Sequence, residues 1–219
     1  MPLQGDRSMT SAELLLCAQR IQAISQAGIA YATNAYDLER YQQLRALSVD
    51  LLQSLSDEPY EKIIRVFASE TGYQTPKVDI RAVMFNESRQ ILLVKEKVDQ
   101  GRWTVPGGWA DVGHTPFEVA EKETEEETGL HVRAERLLML CDKKKYPHPP
   151  QPWYVYKAFI LCKIEGGTLA EETSETGGAR WFSQEDLAEL DLSTDRVTHS
   201  QLEVLFRFAE DPTLPTLCD

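Results

Sequence analysis

PGGWADVGHTPFEVAEKETEEETGL, Pro106 to Leu130, decides how the rest of the chain is read. Thr115, Pro116 and Glu118 together make a helix start. They supply a hydroxyl at the cap, a proline at the first helical position where no N–H is needed, and a glutamate three residues past the cap. Gly129 supplies a left-handed stop, so the segment predicts a helix over Pro116 to Thr128 behind a glycine-rich loop. At about 100° per residue, Phe117, Ala120 and Thr124 share one side, expected to be buried, and Glu118, Glu121 and Glu125 lie opposite, expected to face water. Glu123, Glu126 and Glu127 fill a third sector between core and solvent. Three carboxylates at i, i+3 and i+4 repel one another in a bare helix. A divalent cation relieves that repulsion, and hard oxygen donors suit Mg²⁺ or Mn²⁺. An acidic helix by itself can be a solvated surface, which accounts for Glu118, Glu121 and Glu125. It does not account for a third sector placed behind Gly107-Gly108, a loop whose backbone can approach a ligand closely.

Outward from this segment the period of the apolar residues changes. Val78, Ile80, Ala82 and Met84 alternate as in a strand, a turn at Asn86-Glu87-Ser88 follows, and a second strand is expected at Ile91 to Val94. Further strands are expected at His131 to Leu140, Trp153 to Leu161 and Ala179 to Phe182, with short helices at Ser183 to Leu190 and Val197 to Ala209. KKKYPHPPQP, with four prolines, is expected to be a stiff loop. Within it Lys143 to Lys145 are expected to be a solvated turn.

The first seventy residues carry a helical period instead. Thr10 and Glu13 form a capping box ahead of a stripe of Leu14, Cys17, Ile21 and Ile24. A second helix is expected from about Asn34 to Leu55, with Leu38, Tyr41, Leu44, Leu51 and Leu55 on its apolar side. A third begins near Pro59, carries Tyr60, Ile63, Ile64 and Phe67, and stops near Gly72. The chain is thus expected to be α+β, an α/β/α sandwich with a mixed sheet over residues 71–219, preceded by an all-helical segment over 1–70.

The chain has 219 residues, 42% of them hydrophobic, and a net charge of −12. A chain this acidic repels nucleic-acid phosphates, so no duplex nucleic acid is expected as a partner. No apolar run reaches the length of a membrane span, and MPLQGDRSMT lacks the apolar core of a secretory signal. Cys17, Cys141, Cys162 and Cys218 have no metal-ligand spacing and are expected to be reduced thiols in a cytoplasmic protein.

The segment from Gly108 to Leu130 resembles the Nudix box, GX5EX7REUXEEXGU. The opening glycine matches Gly108, the glutamates of REUXEE match Glu123, Glu126 and Glu127, and Gly129-Leu130 closes the pattern. His114 stands where the family usually has glutamate, Lys122 replaces arginine and Thr124 replaces an aliphatic residue. Lys122 keeps the charge that orients a neighbouring carboxylate, though not the two-pronged fork. The helical N-terminal segment, TPKVDIRAV, WADVG followed by a residue other than glutamate, and the lysine-proline loop look like CDP-choline pyrophosphatase-type members.

What the resemblance implies is a metal-dependent hydrolase that cleaves the diphosphate of a small nucleotide-derived substrate. Glu123, Glu126 and Glu127 are then the catalytic metal carboxylates, with the Gly107 carbonyl and Glu175 as further ligands. CDP-choline is the expected substrate, ADP-ribose the alternative, and a nucleotide-binding sensor without catalysis the alternative of another class. Glu175 is otherwise a solvated loop carboxylate. Arg81 either lines the nucleotide site or is a salt-bridged strand residue, and Trp103 either stacks on a base or belongs to the core. Trp153 is a candidate wall for a choline head. The apolar stripes of the N-terminal helices exceed what a hairpin can cover alone, so a homodimer built through them is expected.

Overall fold

A computed structural model of the chain describes residues 8–68 and 70–219. It divides into two compact units, one running through Pro76 and taking in Pro150–Tyr154, the other made of Lys77–Pro149 and Val155–Asp219.

The first unit consists of α1 (Ser11–Tyr31), α2 (Ala35–Leu55) and α3 (Tyr60–Ala68). The capping box of Thr10 and Glu13 starts α1, and Asn34 caps α2 by accepting from the Asp37 N–H. Ala18, Val49, Leu52 and Ile63 form the buried core of these helices. The buried side of α1 is Ala18, Gln22 and Ser25, one position round from the expected stripe, and Leu14 and Ile24 are exposed. On α2 Leu44, Leu47 and Leu51 are exposed as well. The physical reason is close approach: at Gly28 a Cβ would meet the Tyr41 ring at 2.3 Å, so the small residues of α1 face α2 and the large ones turn out. On this side the Gln22 amide N–H donates to the Gln26 oxygen at 3.0 Å and the Ser25 hydroxyl to the Ile21 carbonyl at 2.6 Å, while the Gln22 side-chain oxygen is buried with no hydrogen-bond partner among the described residues. The expected roles of the Ile64 and Phe67 side chains, and of the residues before Ser8, lie outside the described residues. Among the described residues no helix is long and apolar enough to cross a membrane.

The second unit begins with β1 (Lys77–Val83), β2 (Ile91–Glu96) and β3 (Arg102–Thr104), and continues with α4 (Pro116–Thr128), β4 (Leu130–Asp142), β5 (Val155–Gly167) and β6 (Thr176–Phe182). It ends with α5 (His199–Glu210) and β7 (Leu217–Cys218). Neither β3 nor β7 was expected, because two- and three-residue strands are too short to show a period. One sheet runs β1-β5-β4-β7 and is mixed, with β1 parallel and β4 antiparallel to β5; the other is β3-β2-β6. Alternation along β1 sorts its side chains into two cores. Ile80, Ala82 and Met84 pack with Val119 and Ala120 of α4, while Val83 joins Leu138, Phe159 and the α5 residues Leu202 and Leu205. The two helices thus cover opposite faces of the mixed sheet.

The box helix is capped as its residues dictate, with Thr115 and Glu118 exchanging bonds and Gly129 in the left-handed conformation. Its faces differ from the wheel in two places. Phe117 is 38% exposed and Val119 takes the core position. Glu121 does not simply face water: its carboxylate accepts the Ala134 N–H at 2.7 Å, where the β4–β5 pairing slips between Ala134 and Arg136 and leaves that donor without a ladder partner. Thr124 is buried with its hydroxyl satisfied, donating to the Ala120 carbonyl at 2.7 Å. Lys143 is buried rather than solvated, in a short helical turn that continues β4.

Glu121→Ala leaves a strand N–H unsatisfied, so denaturant unfolding should show a loss of about 1–3 kcal/mol. An unchanged midpoint would return Glu121 to the solvent face.

Candidate metal and phosphate site

Two local features bring the box glutamates together. Residues 106–110 lie alongside β1: the Ile80 N–H donates to the Gly108 carbonyl at 2.8 Å, the Ala82 N–H to the Pro106 carbonyl at 2.8 Å, and the Ala110 N–H to the Val78 carbonyl at 2.9 Å. The Gly107 carbonyl is the one of Pro106, Gly107 and Gly108 that this pairing does not use. Gly107 itself has φ 138°, and a Cβ there would meet the Ile80 carbonyl oxygen at 2.0 Å, so only glycine fits. At Gly108 a Cβ would lie 2.8 Å from a Glu123 carboxylate oxygen. The two glycines therefore let the loop run directly beneath the carboxylates of α4.

The second feature is the end of α4. The Gly107 N–H donates to the Glu127 carboxylate at 2.9 Å, and the Thr176 hydroxyl donates to the Glu127 carbonyl at 2.7 Å, fastening the helix end to β6. Glu123, Glu127 and Glu175 each offer an oxygen, and these oxygens lie within 4.8 Å of one another. Glu175 sits at the mouth of β6, its carbonyl accepting the Lys97 N–H at 3.2 Å. Glu126 is not in this trio. It is exposed and lies 3.6 Å from the Lys122 ammonium, which also approaches Glu123 at 3.5 Å and Asp111 at 3.3 Å. His114 is exposed in the turn before α4, its N–H donating to the Asp111 carbonyl.

Burial pushes the Glu127 carboxyl up to about 8, against the lowering effect of the Arg81 charge and the Gly107 N–H. Burial also raises Glu123, with the Lys122 charge opposing. A pair of half-desolvated carboxylates beside a third is costly as bare anions and is relieved by a hard divalent cation with oxygen preference. The donor set fits such an ion.

Arg81 is buried on β1, paired with Asp79 at 2.8 Å and donating to the Val105 carbonyl at 3.1 Å, with Glu127 and Glu96 contributing to its field. Trp103 lies on β3, its ring edge-on to Phe182 with centroids 4.8 Å apart and its side chain packed against the core. Trp153 belongs to the helical unit, where the Lys62 ammonium lies 5.2 Å from its ring centroid.

Three buried charged residues near the site escaped the sequence reading. Asp79 and Lys157 are register partners on β1 and β5 and form an ion pair. Burial opposes ionisation of Asp79, but Arg81 and Lys157 override it and hold the carboxyl below its usual range. Glu96, at the end of β2, pairs with Arg196 at 3.0 Å. The available signal was Lys157 itself, a lone lysine inside the apolar run VYKAFIL.

The chain is similar to known proteins along most of its length. Residues 75–202 match the family model described as the NUDIX domain, and residues 12–67 match one described as a UDP-X-like, N-terminal oligomerisation domain. Over 202 residues the chain is 43% identical to a putative ADP-ribose pyrophosphatase, YjhB, of Bacillus subtilis, covering 92% of this chain and 95% of that one. A crystal structure of UDP-X diphosphatase superposes with a TM-score of 0.59 at 30% identity, covering 96% of this chain and 100% of the other. An ADP-ribose pyrophosphatase structure from Streptococcus suis gives 0.58 at 38% identity, covering 66% of this chain and 100% of that one.

A pH dependence follows from Glu127. Its folded pKa of about 8 lies above the ordinary 4.5, so the metal-free fold gains stability from its proton at low pH and loses it as pH rises through about 8. A bound cation replaces that proton. The rise in Tm on adding Mg²⁺ should therefore be larger at pH 8 than at pH 6, and Glu127→Gln should flatten the difference. The same variant should lose roughly 10² to 10⁴ in kcat, while Glu125→Gln, on the exposed side of α4, should stay within about threefold. Equal losses in the two variants would contradict the assignment.

Proposed function

The chain belongs to the Nudix family and is a pyrophosphohydrolase, and from this we propose that it hydrolyses the diphosphate of a nucleoside diphosphate carrying a small moiety, ADP-ribose before CDP-choline. The observation that carries the reading is the set of three carboxylate oxygens from Glu123, Glu127 and Glu175 over the Gly107-Gly108 loop. These three, with the Gly107 carbonyl, would hold Mg²⁺ or Mn²⁺. A divalent cation held there supplies charge neutralisation to the diphosphate oxygens. The chain's own groups do the positioning. The Gly107 N–H fixes the rotamer of Glu127, Lys122 braces Glu123 from the solvent side, and Arg81 places a fixed positive charge next to Glu127. Water then attacks one phosphorus in line, the P–O–P bond breaks, and a nucleoside monophosphate and a phosphorylated moiety leave. His114, exposed and apart from the trio, is not needed for this arrangement.

Two points rank the substrates. The relatives at 43% and 38% identity carry the ADP-ribose pyrophosphatase name. The choline reading comes from the resemblance of the N-terminal helices, TPKVDIRAV, WADVG and the lysine-proline loop, and its candidate head-group wall, Trp153, has the Lys62 ammonium 5.2 Å from its ring centroid. The non-catalytic alternative loses its motive, since the altered His114 leaves the carboxylate trio intact.

We also infer a homodimer through the N-terminal helices. The exposed Leu14, Ile24, Leu44, Leu47 and Leu51 support it, as does the oligomerisation domain matched over residues 12–67. Light scattering on the full chain should give twice the chain mass, and Ile24→Glu with Leu47→Glu should shift it toward the monomer. A monomeric wild-type chain would refute the dimer.

A panel of ADP-ribose, UDP-sugars and CDP-choline tests the activity. ADP-ribose should yield AMP and ribose 5-phosphate with the highest kcat/KM of the panel. Chelation should abolish turnover and Mg²⁺ or Mn²⁺ restore it. A tenfold preference for CDP-choline would reverse the ranking, and full turnover in excess chelator would remove the mechanism.

A further inference from the structure

Glu123 and Glu127 are fixed by the helix that carries them, but Glu175, the third member of the trio, is exposed on the loop that enters β6. Like charges this close repel, so an exposed carboxylate on a loose loop would turn away from the other two. That its oxygen comes within 4.8 Å of theirs therefore depends on how the loop is held.

The turn before β6 has an internal frame. The Thr173 N–H donates to the Thr176 carbonyl at 2.9 Å, and the Thr173 hydroxyl accepts from the Glu175 and Thr176 N–H groups at 3.2 and 3.0 Å. These bonds set the shape of the turn, not its place. Its place is set from outside. At the start of the loop the Ala170 N–H donates to the Thr128 carbonyl at 2.9 Å, on the last turn of α4, and at the end the Thr176 hydroxyl holds the Glu127 carbonyl. Between those points the hold comes from Lys97, the residue that follows β2. Its backbone N–H donates to the Glu175 carbonyl at 3.2 Å. Its ammonium donates to the Thr173 carbonyl and stands 2.6 Å from the Glu172 carboxylate. One side chain and one amide thus engage three of the four residues from 172 to 175. The ion pair with Glu172 contributes little, because that carboxylate is 68% exposed. The charge-assisted bond to the Thr173 carbonyl is the stronger contact, and it fixes the backbone two residues before Glu175.

We propose that Lys97 is a positioning residue for the metal site, holding the turn over residues 172–175 so that the Glu175 carboxylate meets Glu123 and Glu127. It acts through the chain and touches neither cation nor substrate. This rests on the reading of Glu175 as a metal ligand and names what makes an exposed loop carboxylate serve as one. Charge and position predict opposite signs here. An ammonium near the site repels a divalent cation, so removing it as a charge alone would tighten metal binding. Removing it as a tether weakens metal binding, because the free carboxylate must be ordered again each time a cation is held.

The test measures the Kd of Mn²⁺ for the full chain without substrate, from the free Mn²⁺ signal in electron paramagnetic resonance. Lys97→Met should raise that Kd about tenfold, the loss of one hydrogen bond to a charged donor. Lys97→Arg, which keeps the charge and a donor, should bring it back, and Glu172→Gln should stay within about threefold of the wild type. Glu175→Gln should weaken Mn²⁺ at least as much as Lys97→Met does. With Glu175→Gln already in place, Lys97→Met should add less than about twofold, since the two act as a unit. A Kd that falls or does not change in Lys97→Met overturns the proposal, and so does an undiminished tenfold effect in the Glu175→Gln background. A rise in substrate KM at saturating Mn²⁺ with the Kd unchanged also overturns it, and makes Lys97 a substrate contact. The Glu175→Gln variant keeps the two failures apart. If it binds Mn²⁺ as the wild type does, Glu175 is no ligand, and the site assignment falls with the role given to Lys97. If it weakens Mn²⁺ and Lys97→Met does not, the positioning role alone is lost.

Discussion

The hydrogen bond from the Gly107 N–H to the Glu127 carboxylate joins the two parts of the site that sequence keeps twenty residues apart. It demands that the loop pass under the helix end, which only Gly107 permits, because a Cβ there would collide with the Ile80 carbonyl. It also demands that Glu127 be drawn out of water, which raises the cost of its charge and so its appetite for a cation. The cap at Gly129, the clasp of Thr176 on the last turn and the pairing of residues 106–110 with β1 all serve to keep that bond in place.

The box was legible because its signals are local. A cap, a proline, a left-handed glycine and carboxylates at helical spacing are each decided by neighbours within a turn, and the helix appears with the bounds those residues imply. The chain order of the larger strands was legible for the same reason, since apolar alternation is a property of each strand alone. What failed was phase. The buried side of α1 depends on how closely a second helix can approach, and Gly28 against Tyr41 sets this without any mark in the period of α1 itself. Glu121 was misread because its partner, the Ala134 N–H, is freed by an irregularity in a strand pair that no single segment reveals.

Buried charge was the other illegible part. Lys157 in an apolar run and Lys143 in a triplet of lysines look like an oddity and a solvated turn. Register places Lys157 beside Asp79 on one side and Cys141 on the other, and Lys143 lies buried in the turn two residues past Cys141. Pairing between strands distant in sequence creates this neighbourhood, so the composition of each strand is silent about it. The same pairing explains Arg81, which is at once the salt-bridged strand residue and the charge facing Glu127.

The central claim is that one cation binds where Glu123, Glu127 and Glu175 converge over the glycine loop. Anomalous diffraction from crystals soaked in Mn²⁺ locates the ion directly. The account predicts a peak in contact with oxygens of those three glutamates and within reach of the Gly107 carbonyl. A peak held instead by Glu126 and the exposed side of α4, with the trio empty, would contradict it.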